Sequence, residues 1–239
     1  MKQFKIRASS ANSIMAEPRL KSELISQGCK TYCENWLVEN LFNRYEIIRS
    51  KYIDKGNSTE EESLNLMVKA LKMPMIYKNT ERREDEYKTG EPDIITKDYI
   101  IDNKSSYSLK TFPIFSNKLN QDYYAQMQVY MNLFDLPKAK VIFTLNNTPI
   151  DILSKELRWI SDDDEKQRVA INHVFTEKYW KEVKDSLFPN ASKIQFTSIE
   201  DVKRVKVFEV DRNDEYVNNM HIKVKLCRDY IKTLLDGSI

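Results

Sequence analysis

Two isoleucine-rich runs, Ile94-Ile95 and Ile100-Ile101, stand on either side of Lys97-Asp98, a pattern that reads as a β-hairpin turning at that pair. A turn there makes the pairing symmetric and sets Asp93 directly across from Asp102. Cross-strand partners share a face with Cβ atoms about 4.5–5.5 Å apart, so the two carboxylates repel and something must compensate. Lys104, two residues beyond Asp102, projects to the same face because strand side chains alternate. Near-continuous isoleucine predicts cover on both faces of the strand, and carboxylates buried beside it need a cation or hydrogen bonds. Mg²⁺, a hard ion that prefers oxygen ligands and keeps waters a phosphate can replace, suits such a pair.

The flanking segments frame the hairpin. Residues 4–17 read as a short extended piece, then a helix starting at Ser9 or Ser10 and stopped by Pro18. Residues 20–50 read as helical, with Trp36, Leu37, Leu41, Phe42, Tyr45 and Ile48 as core. Asp54 to Thr59 is a polar loop before a second helix from Glu60 to Lys72, whose stripe is Leu64, Met67, Val68 and Leu71. Glu60 lies on that stripe, where an unpaired carboxylate is costly, although a first-turn glutamate also suits the helix dipole. Residues 73–90 read as a charged turn or mobile loop. A helix over about 120–134 places Gln126 and Tyr130 on one face, and residues 140–145 form another strand. The order helix, strands, helix, strand predicts an α/β core. Beyond it come the acidic run at 162–165, a helix at 175–187, a strand RVKVFEV and a last helix from Asp214 to Leu235. With no repeat or clear linker, one domain over 1–239 is expected: a motif-bearing core to about residue 150, and a mainly helical extension over 151–239 packed on it.

Composition narrows the function. The 239 residues are 41% hydrophobic and 31% charged with four glycines, which argues against disorder and collagen-like repeats. No apolar run reaches the roughly 18–20 residues of a membrane span, and the start lacks a secretory signal, so a cytoplasmic protein is expected. Three cysteines without a CxxC pair indicate neither a disulfide framework nor a zinc or iron-sulfur site. The net charge is only +2, so any nucleic-acid surface must be local. His173 and His221 lie far from these motifs in sequence and read as structural or exposed.

Together KGNSTEEES with Glu60, GEPD ending in Asp93, DNK with Asp102 and Lys104, and YYAQMQVYM with Gln126 resemble the PD-(D/E)XK nucleases. Within them the chain is similar to the phage lambda exonuclease and YqaJ-like viral recombinase group, RASSANSIMAEPR included, over about residues 7–145. The resemblance implies a restriction-endonuclease-like core, a central mixed β-sheet flanked by helices. It further implies that Glu60, Asp93, Asp102 and the carbonyl of Asn103 hold two Mg²⁺ ions, which Mn²⁺ can replace, for in-line displacement at phosphorus. Lys104 would orient or activate the attacking water, and Gln126 would steady the site. Ser9, Arg7 and Tyr130 would meet DNA, with Ser9 near the strand terminus; a serine there can equally well just cap a helix. Two departures stand out: Asp102 replaces the usual glutamate, and Glu91 stands where a small polar residue is found beside the DNA terminus. The implied activity is 5′-to-3′ degradation of linear double-stranded DNA for recombination, with a single-strand annealing protein as partner and a trimeric ring as assembly. A structure-specific endonuclease of the same fold and a catalytically inert nucleic-acid-binding module are the alternatives.

Overall fold

The computed structural model describes residues 2–192 and 194–238. The chain opens with β1 (Ile6–Arg7), a 3-10 turn at Ala8–Ser10 and the single-turn α1 (Asn12–Met15). Three helices follow: α2 (Gln27–Phe42), α3 (Lys51–Ser58) and α4 (Glu60–Leu71). Then come β2 (Arg83–Glu84), β3 (Lys88–Gly90), β4 (Ile94–Ile95), β5 (Tyr99–Ser105), α5 (Gln121–Phe134) and β6 (Lys138–Thr144). The remainder is α6 (Ile150–Leu157), α7 (Asp163–Ala170), α8 (Glu177–Leu187), β7 (Val205–Asp211) and the long α9 (Asp214–Ser238).

The main sheet has the order β4-β5-β6-β7, and only the β5-β6 pair is parallel, so it is a mixed sheet. Ile94 pairs with Ile101 and Ile95 with Ile100, the register expected from a turn at Lys97-Asp98. Alternation along β5 then divides its apolar side chains between two layers. Ile100 joins Ala139, Val141, Met127 and Val129 under α5, whereas Ile101 joins Ile94, Ile142 and Met67 under α4. Both faces of β5 are thus covered, as its isoleucines required. Asp102 follows Ile100 by two residues and therefore points toward α5.

Capping explains where several helices begin and end. Ser26 and Asn120 accept backbone N–H bonds from Cys29 and Asp122 at the starts of α2 and α5, and Asn43 and Asp135 end those helices in the left-handed conformation. Helix α2 therefore stops well before residue 50. Leu41, Phe42, Tyr45 and Ile48, expected in the core, are exposed, while Trp36 and Leu37 do pack inward. The expected loop at 54–59 is largely helix α3, started by the Ser50 hydroxyl, which accepts from Ile53 N–H. On α4 the fully inward side chains are Ser63, Leu66 and Met67, with Leu71 at the surface. Residues 73–90 are more ordered than a charged loop: β2 and β3 pair antiparallel, and β1 joins β3 in parallel as a second, small sheet.

The C-terminal segments are integral to the sheet and its cover. Strand β7 pairs with β6 along its length, and Met220, Val224, Cys227 and Ile231 of α9 share a cluster with Cys29, Cys33 and Leu37 of α2. Cys227 thereby joins Cys29 and Cys33, which stand one turn apart on α2, and the three sulfurs lie within 4.8 Å of one another, buried among apolar side chains. Helices α6 to α8 enclose a separate cluster around Leu153, Val174, Trp180 and Phe188. No helix among the described residues is long and apolar enough to cross a membrane.

Gly90 marks a close approach between the small sheet and α5. A Cβ there would lie 2.8 Å from Tyr130 Cε1 and 3.2 Å from Ala8 Cβ, with little room for either to yield. Gly90→Ala is expected to displace the Tyr130 ring and lower stability by about 1–3 kcal/mol. Denaturant unfolding checks this, and an unchanged midpoint would contradict the packing.

Candidate active site

Strand β5 brings the central group together at its C-terminal end. Asp102, almost wholly buried, has Lys104 Nζ 2.6 Å from its Oδ2. Its Oδ1 accepts a long bond of 3.4 Å from Gln126 Nε2, which also donates to the Tyr130 hydroxyl at 2.9 Å. No well-directed hydrogen-bond donor serves Asp102 Oδ2 among the described residues, so the Lys104 charge is its main compensation. Asp93 lies one step beyond the Ile94–Ile101 pair, opposite Asp102, and its Oδ2 accepts the Asn103 backbone N–H at 2.7 Å.

The electrostatics follow from this crowding. Burial, and then the charge of Asp102, push the Asp93 carboxyl up to about 6 against the help of the Asn103 N–H and Lys104. Burial works against the Lys104 ammonium too, but the Asp102 and Asp93 carboxylates outweigh it and hold its pKa above the ordinary lysine value. The Lys104 ammonium also sits 5.1 Å from the centre of the Tyr123 ring. Burial and the nearby Asp102 raise the Tyr130 hydroxyl.

These side chains border a cleft of about 730 Å³, whose lining includes Glu60, Lys78, Asp93, Asn103, Lys104 and Tyr123. Glu60 borders the same cleft from the first turn of α4, half-exposed, with Lys78 Nζ 2.5 Å from its Oε1. That hydrogen bond raises the Lys78 pKa.

The structure thus gathers Asp93, Asp102, Asn103, Lys104, Gln126 and Tyr130, and sets Glu60 in the lining of the same cleft. Tyr130 does not suit direct DNA contact: it is 5% exposed, with its hydroxyl turned to Gln126. Ser9 and Arg7 are exposed at the 3-10 turn and the end of β1, outside the cleft lining. No regular helix starts at Ser9 or Ser10. Neither the 3-10 turn nor α1 has a side-chain cap bond, and a single helical turn offers little dipole for a phosphate. Glu91 is paired with Arg82, Oε2 to Nε 3.1 Å.

Sequence reasoning missed Lys55, Lys78 and Tyr123. Lys55 is fully buried, and burial depresses its pKa to about 7. A signal for it existed, since Lys55, Thr59, Ser63 and Met67 recur every four residues, the spacing of one helix face. Lys78 sits in a segment with no periodicity to place it. Of the two histidines, His173 is buried, with Nδ1 3.3 Å from the Tyr107 carbonyl, while His221 is 2.9 Å from Lys88 Nζ and stacks on Tyr87.

A mixed sheet covered by helices on both faces, with acidic residues and a lysine converging at the end of a central strand, defines an α/β nuclease fold. It is the fold of the phage lambda exonuclease and YqaJ-like group that the motifs resemble. The chain is similar over its whole length to a phage-related exonuclease from Haemophilus somnus, with a TM-score of 0.77, 25% identity and coverage of 100% of this chain and 98% of that one. It also shares its fold with an alkaline exonuclease from Laribacter hongkongensis, at a TM-score of 0.62 and 10% identity over 98% of this chain and 90% of that one. The latter protein is also known in complex with dAMP. No protein-family model matches the chain, and no curated protein does.

Asp93→Asn is expected to stabilise the protein in metal-free buffer at pH 8 by about 1–3 kcal/mol. The raised carboxyl costs nothing while protonated, so the wild type carries the full penalty only above about 6 and sheds it as pH falls toward 3.8. Melting in EDTA should therefore show a gain at pH 8 that shrinks by pH 4.5; an equal gain at both would contradict the repulsion.

Proposed function

We propose that the chain is a Mg²⁺-dependent exonuclease that degrades linear double-stranded DNA from the 5′ end, leaving single strands for phage-type homologous recombination. The observation that carries this reading is the buried Asp102 beside the half-buried Asp93 and Lys104, opening on a cleft in a fold shared along the whole chain with exonucleases. Glu60, Asp93, Asp102 and the Asn103 carbonyl form an all-oxygen donor set, the chemistry that Mg²⁺ and its substitute Mn²⁺ select. Asp102 Oδ2, buried without a directed hydrogen bond, fits a ligand position. When bound, the cation supplies Lewis-acid stabilisation of charge developing on the phosphate oxygens.

The chain's own residues supply the rest. Lys104 presents a protonated ammonium at the cleft, where it donates to the attacking water or to a phosphate oxygen and offsets negative charge. Gln126, bonded to Tyr130, donates a long bond to Asp102 Oδ1 and so helps to orient the carboxylate, whose Oδ2 faces Lys104. Asn103 N–H restricts Asp93 to one orientation. Such preorganisation matters because these contacts then need no rearrangement as the transition state forms.

The 5′-end preference rests on the resemblance, with Arg7 and Ser9 as exposed groups for the terminus. The Arg82 pair reduces the repulsion that Glu91 would offer a terminal phosphate. A single-strand annealing protein as partner and a trimeric ring belong to the same reading. The exposed Phe42, Tyr45, Ile47 and Ile48 provide apolar surface that an assembly would cover.

A time course on end-labelled linear duplex with Mg²⁺ tests this function. The wild type should release nucleotides from the 5′ strand and leave covalently closed duplex intact. Lys104→Ala and Asp93→Ala should each lose about 10²–10⁴-fold in rate with DNA affinity largely retained. Wild-type rates in either variant would overturn the site, release from the 3′ terminus would overturn the polarity, and cutting of closed circles would point to an endonuclease.

A further inference from the structure

Behind the cleft, α3 and α4 present one continuous buried stripe: Lys55 at 0% exposure, Thr59 at 2%, and Ser63 and Met67 at 0%. Polar side chains fill three of these four positions, and each is bonded to the end of a sheet strand. Lys55 Nζ donates to the Ser106 and Tyr107 carbonyls, both at 2.9 Å, just past the end of β5. Thr59 Oγ1 lies 3.0 Å from Ser105 Oγ. Ser63 Oγ accepts from Thr144 Oγ1 at 3.1 Å and from Asn146 Nδ2 at the end of β6. Thr144 Oγ1 is in turn 3.4 Å from Asn103 Oδ1.

A buried lysine is an expensive way to fill space, because a methionine would pack there without desolvating an amine. What the lysine adds is directed donors to two carbonyls, with the Tyr107 and Phe175 rings 5.9 and 5.7 Å from its nitrogen. The location matters. Thr59 is the junction where α3 ends and α4 begins, with φ −111° and ψ 13° outside the helical range, and Glu60 is the next residue. Backbone bonds from Thr59 N–H to the Lys55 carbonyl and from Ser63 N–H to the Thr59 carbonyl couple α3 to α4, so a shift of α3 from the end of β5 would carry Glu60 with it, and the exposed Lys78 pair does little to prevent that.

We propose that Lys55 is a positioning residue of the nuclease site: with Thr59 and Ser63 it locks the α3–α4 junction to the ends of β5 and β6, fixing Glu60 relative to Asp93 and Asp102. The inference rests on the reading of the cleft as a metal centre. Groups that orient ligands from behind are worth about 10–100-fold in metal affinity in such centres.

Mn²⁺ binding to the DNA-free full-length protein, followed by electron paramagnetic resonance, gives a readout independent of turnover. Lys55→Met should remain folded by circular dichroism, bind Mn²⁺ about tenfold more weakly and lose about tenfold in kcat with KM for linear duplex unchanged. Because Lys55 acts through Glu60, the double variant Lys55→Met/Glu60→Gln should bind Mn²⁺ no more weakly than Glu60→Gln alone. Wild-type affinity and kcat in Lys55→Met, or strictly additive losses in the double variant, would overturn the role. If Lys55→Met does not fold, Thr59→Val decides: weaker Mn²⁺ binding at an unchanged melting temperature supports the lock, and wild-type binding overturns it. A wild type that neither binds Mn²⁺ nor cleaves DNA would overturn the metal-centre reading, and this inference with it.

Discussion

Two carboxylates that repel each other, Asp93 and Asp102, are held on one face at one end of a hairpin. Holding them there takes several parts of the molecule. The Asn103 N–H restrains one, Lys104 and Gln126 restrain the other, and Tyr130 holds Gln126. The Tyr130 ring can lie where it does because Gly90 has no side chain. Burial first, and the Asp102 charge second, raise the Asp93 carboxyl in spite of the Asn103 N–H and Lys104. Under the proposed function a cation would complete the compensation that these groups begin, beside an Asp102 Oδ2 that only the Lys104 charge faces in the protein alone.

The two-layer cover of β5 makes this arrangement rigid. Ile100 and Ile101 anchor the strand in separate clusters under α5 and α4, so the residues that follow them cannot slip in register without exposing both. Strand β6 lies parallel beside β5, and β7 closes the sheet on its far side. The C-terminal part of the chain thereby supports a site to which it contributes no residue named in the motifs.

Much of this was legible in the sequence where the physics is local. The hairpin register followed from a symmetric turn and a period of two, and the helix expected over about 120–134 is α5. The site residues on those elements were placed on shared faces for the same reason. Elsewhere local rules lost to tertiary ones. Helix α3 contains Gly56, Asn57 and Ser58, all poor helix formers, and it forms around a lysine whose partners, the Ser106 and Tyr107 carbonyls, lie some fifty residues away. The apolar pattern after Phe42 continues past the point where Asn43 ends the helix, so Tyr45 and Ile48 looked like core and are not. Strands β1, β2 and β3 are two or three residues long, which leaves no period to read, and β1 pairs with a strand far along the chain.

Anomalous scattering from a crystal soaked in Mn²⁺ locates a bound cation without reference to turnover. The expected result is a peak in the cleft within about 2.0–2.4 Å of carboxylate oxygens of Asp93 and Asp102 and of the Asn103 carbonyl, with Glu60 reaching toward it. A crystal with no peak there, or with Mn²⁺ held only elsewhere on the protein, would contradict a metal centre built on β5.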